Sequence, residues 1–324
     1  MDLSTKYMGL DLKNPIIIGS SGQSNSIDKI KKLADNNAGA IVLKSLFEEQ
    51  IMSETSNNLQ QNLAYYPEAF DYISAYTKDQ NLSEYLKVIE DAKKSVDIPI
   101  IASVNCVSPK EWINFTKNME DAGADAIELN VSMLPSDVRK DGNANEKTYF
   151  EIIEKVKSKI SIPLALKMSY FSAGLSNLIQ KISWTKYVDS IVLFNRYFNP
   201  DIDINNFKIT SSNVFSTPED ITLSLRWIAL LSDKVDCNLA ASTGVHSGEG
   251  IIKQLLAGAT AVQIVSIIYK NGPEYISTML NDLIAWMSKH NFSSIDDFRG
   301  KLGGKENTAS FERIQYMKYF GGIE

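Results

Sequence analysis

Lys44, Asn105, Asn130, Lys167 and Asn195 each finish a short apolar run, and they are the side chains of this sequence best placed to do chemistry. A lysine closing a buried strand is costly unless an anion or carboxylate meets it, and A-I-V-L-K and L-A-L-K both end that way. The asparagines offer uncharged donors and acceptors, suited to fixing a planar, amide-rich ring. Singly, such residues fit a snorkelling lysine or an Asn in a turn. On five separate strand ends they point to one shared site. The segment D-A-I-E-L-N-V-S-M, residues 125–133, carries the sharpest conflict, because Met133 sits where a proton-transfer group would serve. A thioether does not take up a proton. Ser132, Ser136 and Asp137 are the neighbours able to stand in as base.

Strand ends converge only if the strands run side by side. Eight apolar runs, at 15–19, 40–44, 99–104, 125–131, 163–167, 189–195, 236–241 and 260–265, are rich in Ile, Val, Leu and Ala. That is the composition of parallel strands covered on both faces. Amphipathic stretches at 27–35, 110–122, 149–158, 223–232 and 248–256 lie between them. Gly39, Gly123 and Gly258 follow helical patterns, where a left-handed cap lets the next strand begin at once. The alternation predicts an α/β fold, a (β/α)8 TIM barrel, ahead of an open doubly wound sheet. Two connections, 45–98 and 196–235, exceed a simple crossover and predict loop insertions after strands 2 and 6 on the C-terminal face. One domain over 1–302 is expected. In the tail, 303–324, Phe311, Ile314, Met317 and Phe320 recur at helical spacing, as in a short helix docked on the barrel or on a partner subunit.

Composition narrows the function classes. The 324 residues include 33 basic and 39 acidic side chains, a net charge of −6, with the basic residues scattered, which disfavours nucleic acid as a partner. Two histidines, His246 and His290, and the absence of C-x-x-C or H-E-x-x-H spacing argue against a metal site. No apolar run approaches the roughly 20 residues that cross a bilayer. The N-terminus lacks a secretory pattern, and two cysteines, Cys106 and Cys237, suit a reducing compartment, so a cytoplasmic protein is expected.

The seventh and eighth runs end in A-S-T-G-V-H-S-G and Q-I-V-S. Barrels commonly hold a phosphate through backbone N–H groups in those two loops, and Gly244 permits close approach. No G-x-G-x-x-G or Walker lysine follows any strand. His246 fits a capping or phosphate-facing residue, and His290 a surface helix.

The motifs N-P-I-I-I-G-S-S-G (14–22), A-G-A-I-V-L-K-S (38–45), A-I-E-L-N-V-S (126–132), P-L-A-L-K (163–167) and A-G-A-T-A-V-Q-I (257–264) resemble the dihydroorotate dehydrogenase family, in its cytosolic FMN-dependent class. N-G-P at 271–273 and I-D-D-F-R-G-K-L resemble the family's closing segment, so the likeness spans most of 1–302. The resemblance implies FMN bound by Ser21, Gly22, Lys44, Ser45, Asn105, Asn130, Lys167 and Asn195, with Gly244, Val245 and Ser266 holding the phosphate. It places Lys167 near the flavin N1 and C2 carbonyl, where an ammonium favours the reduced cofactor. Asn105, Asn130 and Asn195 would also meet a dihydropyrimidine-like substrate, and Lys44, Asn130, Ser132 and Ser136 form the candidate catalytic set. A homodimer is the expected assembly. Three departures stand out: Met133 replaces the family's cysteine or serine base, the Asn-rich orotate-gripping segment is missing from 45–98, and Val245 and Val265 occupy expected glycine positions. The alternatives are a flavin-binding redox or regulatory paralogue without dihydroorotate oxidation, and a flavin-free barrel acting on a sugar phosphate.

Overall fold

The computed structural model describes residues 1–47, 67–105, 109–197, 200–211, 214–304 and 307–312. A hairpin of β1 (Thr5–Tyr7) and β2 (Leu10–Leu12) precedes β3 (Ile16–Ile18), β4 (Ala40–Val42) and its short continuation β5 (Leu46–Phe47). Then come β6 (Ile100–Asn105), β7 (Ala126–Val131), β8 (Leu164–Met168) and β9 (Ser190–Leu193). A second hairpin, β10 (Pro200–Asp203) with β11 (Lys208–Ser211), precedes β12 (Asn238–Ser242) and β13 (Ala261–Ile264). Parallel pairing runs β4, β3, β13, β12, β9, β8, β7, β6, and β6 pairs back onto β4. The ring is closed, an eight-stranded (β/α)8 barrel as the eight apolar runs predict.

Helices α1 (Ile27–Asp35), α2 (Pro67–Ser95), α3 (Pro109–Asp121), α4 (Gly142–Lys157) and α5 (Leu175–Trp184) flank the first strands. The second half adds α6 (Ile221–Leu231), α7 (Gly248–Ala257), α8 (Ser266–Asn271), α9 (Tyr275–Lys289) and α10 (Thr308–Glu312). Helix α4 begins seven residues before its apolar periodicity does, because the Asp141 carboxylate caps it by accepting from the Ala144 N–H at 2.7 Å. The long connection after β4 holds α2, whose Tyr85 hydroxyl donates to the Ser103 carbonyl at 3.0 Å and accepts from its N–H at 2.8 Å. The connection after β9 holds the β10–β11 hairpin, on which Ile202 pairs with Ile209 and, with Ile204 and Phe207, is exposed. In the tail, Phe311 packs on the main core; Ile314, Met317 and Phe320 lie outside the described residues.

Gly258 caps α7 in the left-handed region at φ 113°, as expected, and Gly123 is left-handed too. Gly39 is constrained differently. The left-handed residue there is Asn37, while a Cβ on Gly39 would stand 2.3 Å from the Asn14 carbonyl oxygen, so close backbone approach requires the glycine.

The strand pleat divides the core in two. Outward residues such as Ile41, Ile127, Leu129, Leu164, Leu166 and Val262 join the helices in one large cluster. Inward residues Ile17, Ala40, Val42, Ile101, Ala126, Ala165, Val192, Ala240 and Ala261 surround Tyr7, Met8 and Leu12 of the N-terminal hairpin. The small alanines leave the space that Tyr7 fills.

Candidate active site

Following the inward positions along β7 and β8 moves from packing to chemistry. On β7 they are Ala126, Glu128 and Asn130; on β8, Ala165 and Lys167; on β13, Ala261 and Gln263. Glu128, Lys167 and Gln263 are buried together. The Lys167 ammonium donates to Gln263 Oε1 at 2.8 Å, Gln263 Nε2 donates to Glu128 Oε2 at 2.5 Å, and Lys167 Nζ lies 3.9 Å from Glu128 Oε1. The amide of Gln263 is therefore locked between a cation and an anion, and a buried charge is tolerable only when paired in this way.

Above this layer lies a cavity of about 490 Å³, lined by Asn130, Lys167, Asn195, Gly244, Val245 and Ser266, among others. Its size falls within the roughly 300–1,000 Å³ usual for small-ligand sites. Asn195 is fixed by its Nδ2, which donates to the carbonyls of Val131 and Lys167, both at 3.4 Å. Asn130 Nδ2 donates to Ser45 Oγ at 3.5 Å, whereas its Oδ1 is buried without a partner. An acceptor held without a donor at a cavity wall fits a ligand that brings one. With the Lys167 cation nearby, the wall fits the amide-bearing, electron-accepting end of a flavin.

The expected residues divide in their placement. Ser45 is buried and bonded to Ser20 and Ser103 through its Oγ, at 2.9 and 2.7 Å, so it reaches the cavity through Ser20 and Asn130. Lys44 lines a neighbouring cavity of about 260 Å³, shared with Ser24, Glu84 and Tyr85. The Ser21 side chain caps a short turn by accepting from Gln23, and Gly22 lies beneath the Tyr269 hydroxyl; the residue of that loop lining the main cavity is Ser20. Asn105 ends β6 half-buried. Ser132 and Ser136 are exposed and do not line the main cavity, and Asp137 is held by Arg139 in a two-point surface ion pair that keeps its carboxyl below the usual range.

At the other end of the cavity, Gly244 follows β12 at φ 80°, where a Cβ would stand 2.0 Å from the Ile221 N–H nitrogen. Only glycine fits. Ser216 ties the loops together: its N–H donates to Ser266 Oγ at 3.0 Å, its Oγ meets His246 Nε2 at 2.9 Å, and its carbonyl accepts from Lys270 at 3.2 Å. Burial, and then the Lys270 charge, hold the His246 imidazole below its ordinary pKa, so the neutral ring is favoured. Val265 faces Gly19, its Cγ2 2.9 Å from where a Cβ would be. Cys237 is no nucleophile, since burial pushes its thiol up to about 12; Cys106 lies outside the described residues. Among the described residues no group of His, Cys, Asp and Glu is placed to hold a metal, and no helix is long and apolar enough to cross a membrane.

Glu128, Gln263, Arg196, Ser216 and Tyr197 are not among the residues that the strand-end pattern singles out. For Glu128 and Gln263 a signal existed, because each is a polar residue inside an otherwise apolar strand, in A-I-E-L-N and A-V-Q-I. Arg196 and Ser216 belong to the 196–235 connection. Arg196 binds the Val214 and Phe215 carbonyls at 2.8 and 3.1 Å, a fold-back that no local pattern announces.

A closed barrel with a ligand-sized cavity at the strand C-termini, walled by amides and a buried paired lysine, defines a barrel enzyme with a cofactor-assisted site. The sequence model of the family described as dihydroorotate dehydrogenase matches residues 2–287, and the chain belongs to that family. Among curated proteins it is similar to the catalytic subunit of dihydroorotate dehydrogenase B (NAD(+)) of Thermoplasma volcanium, 26% identical over 309 residues, covering 92% of this chain and 98% of that one. The corresponding subunit of Methanothermobacter thermautotrophicus is 26% identical, covering 92% and 97%. A dihydroorotate dehydrogenase (fumarate) of Saccharomyces mikatae is 26% identical, covering 93% and 98%. The protein is an FMN-dependent dehydrogenase of the CH–CH class.

Proposed function

We propose that this dehydrogenase acts on a C–C single bond of a dihydropyrimidine-like ring, with dihydroorotate as the first substrate to test. The observation that carries the proposal is the arrangement of Asn130, Lys167 and Asn195 around one cavity, over the buried Glu128–Gln263–Lys167 chain. Neutral amides suit the imide edges of a pyrimidine, and one fixed cation suits the charge that develops on reduction. Asn130, Lys167, Asn195, Ser20 and Ser45 would hold the flavin ring, with Gly244, Val245 and Ser266 at its phosphate. Bound FMN supplies the two-electron acceptor for the hydride. The chain's own residues orient the substrate through Asn130 and Asn195, keep the Lys167 ammonium in place through Gln263, and hold the loops over the phosphate end through Ser216.

Met133 supports a second reading, a flavin-binding redox or regulatory paralogue. It lines a different cavity, with Tyr149 and Ser169, and has no acid–base chemistry. The protein, purified with its flavin, is titrated anaerobically with dihydroorotate and then dihydrouracil while the flavin absorbance is followed. Bleaching by either is the expected result. A yellow protein that neither reduces overturns the dihydropyrimidine assignment in favour of the paralogue, and colourless protein that takes up no FMN sinks both.

A further inference from the structure

Met133 lines a second cavity, about 390 Å³, between the loops after β7 and β8, together with Glu146, Tyr149 and Ser169. A CH–CH oxidation must still dispose of one proton for each hydride it transfers. Just beyond the cavity-lining residues stands a set of hydroxyls. Asn130, Lys167 and Asn195 line the main cavity, and two residues further along each strand come Ser132, Ser169 and Tyr197.

The Tyr197 hydroxyl is buried beside those of Ser132 and Ser169, yet it completes no hydrogen bond of good geometry. Its ring is held edge-on to Phe171, 4.9 Å between centroids, and to Tyr170 at 6.3 Å, so the hydroxyl is positioned by packing. Ser169 Oγ shares a hydrogen bond of 3.1 Å with the Tyr149 hydroxyl on α4. Tyr149 in turn lines the second cavity, whose rim residues Lys140, Gly142 and Gly174 are exposed. Burial raises the Tyr197 phenol above its ordinary range, which favours a neutral hydroxyl that gives one proton as it takes another, and disfavours a phenolate base.

We propose that Ser132, Tyr197, Ser169 and Tyr149 form a proton path that replaces the acceptor missing at Met133, running from Ser132, two residues beyond the cavity-lining Asn130, to the second cavity. The path rests on the CH–CH reading above. In the oxidative direction one substrate C–H bond breaks as its proton passes to Ser132 Oγ, and the electron pair left behind becomes the new C=C bond. The neighbouring carbon loses its hydrogen as hydride to the oxidised flavin, which is the two-electron acceptor. Ser132 gives its own proton to Tyr197, Tyr197 to Ser169, Ser169 to Tyr149, and Tyr149 to solvent at the second cavity. Each hydroxyl ends neutral. Ser132 is the member that meets substrate; Tyr197 acts through it.

Tyr197→Phe keeps the ring and removes the hydroxyl. FMN-loaded wild type and Y197F are mixed anaerobically with dihydroorotate and with dihydrouracil in H₂O and D₂O from about pH 6 to 9. Flavin reduction in Y197F is expected to slow by about 100-fold with a larger solvent isotope effect, the scale of a lost proton-transfer group. Affinity for FMN and for the substrate stays within about threefold, which a collapsed loop would not allow. Independently of substrate and cofactor, the ¹³Cζ-tyrosine NMR signal that vanishes in Y197F shifts in Ser132→Ala and Ser169→Ala. Reduction of Y197F at the wild-type rate, or a Tyr197 signal unmoved by both serine variants, overturns the path. Wild type bleached alongside an unimpaired Y197F sinks the path alone; wild type bleached by neither compound sinks the CH–CH reading and the path with it.

Discussion

At the N-terminal end of the barrel, Tyr7, Met8 and Leu12 fill the space left by inward alanines; further along the same strands the inward side chains are Glu128, Lys167 and Gln263. One ring of strands supports a dry plug and a charged, amide-rich floor. The alternation of side chains is identical at both ends, so the difference lies in residue type at positions two apart: Ala126 against Glu128, Ala165 against Lys167, Ala261 against Gln263. The plug is stabilised by packing, which tolerates change according to volume. The floor is stabilised by pairing, which fails when one partner is lost. The two ends should therefore respond to substitution in different ways.

The largest effect is expected at the floor. Glu128→Ala leaves Lys167 and Gln263 buried without the carboxylate and should lower unfolding free energy by roughly 3–5 kcal/mol in urea titration. A loss no greater than that of a surface residue would mean the floor is not an electrostatic unit. Replacing the pair together, Lys167→Met with Glu128→Leu, should recover most of that stability, because paired burial is often no better than packed hydrocarbon. Flavin affinity should nevertheless stay at least about tenfold weaker by fluorescence titration, since the cavity wall has lost its cation.

The plug offers the matching contrast. Tyr7→Ala removes a fully buried ring and should cost about 3–5 kcal/mol while leaving the flavin affinity of the folded fraction unchanged. Tyr7→Phe should change stability by less than about 1 kcal/mol, because the hydroxyls of Tyr7 and Ser190, though neighbours, complete no hydrogen bond. A large loss in Y7F would show that the plug depends on a polar contact after all.

The smallest effect belongs to His246. Its folded-state pKa is depressed, so the unfolded chain takes up the proton more readily. The stabilisation is present above the ordinary histidine value of about 6.5 and is lost as the pH falls through the lower, folded value. His246→Gln should flatten the decline in melting temperature on acidification. An unchanged slope would assign the decline to other groups.

The eight barrel strands are legible in the sequence because buried parallel strands are apolar on both faces, and each run ends where the polar layer begins. Lys167 and Asn195 are legible for the same reason, as the polar residues that close those runs, whereas Asn130 is the second polar residue of its strand, after Glu128. The cavity's other members are hidden. Ser216 and Arg196 matter through a fold-back of the 196–235 connection, and Ser20 rather than Ser21 faces the cavity because one residue's shift in a loop reverses a side chain. Gly39 shows the limit from another side. Its place after a helix suggested a cap, while the backbone of Asn14 is what excludes a side chain there.

The pairing of β3 with β13 joins Ile16 to Val262. During synthesis the first barrel strand to leave the ribosome thus has no partner on one edge until the last has followed it. The N-terminal hairpin shares that wait, since the Met8 N–H donates to Asn238 Oδ1 and Tyr7 packs among residues of strands that arrive late. A ribosome stalled before β13 should carry a chain with an open seam, susceptible to protease at both edges, and release of the remaining residues should close both at once.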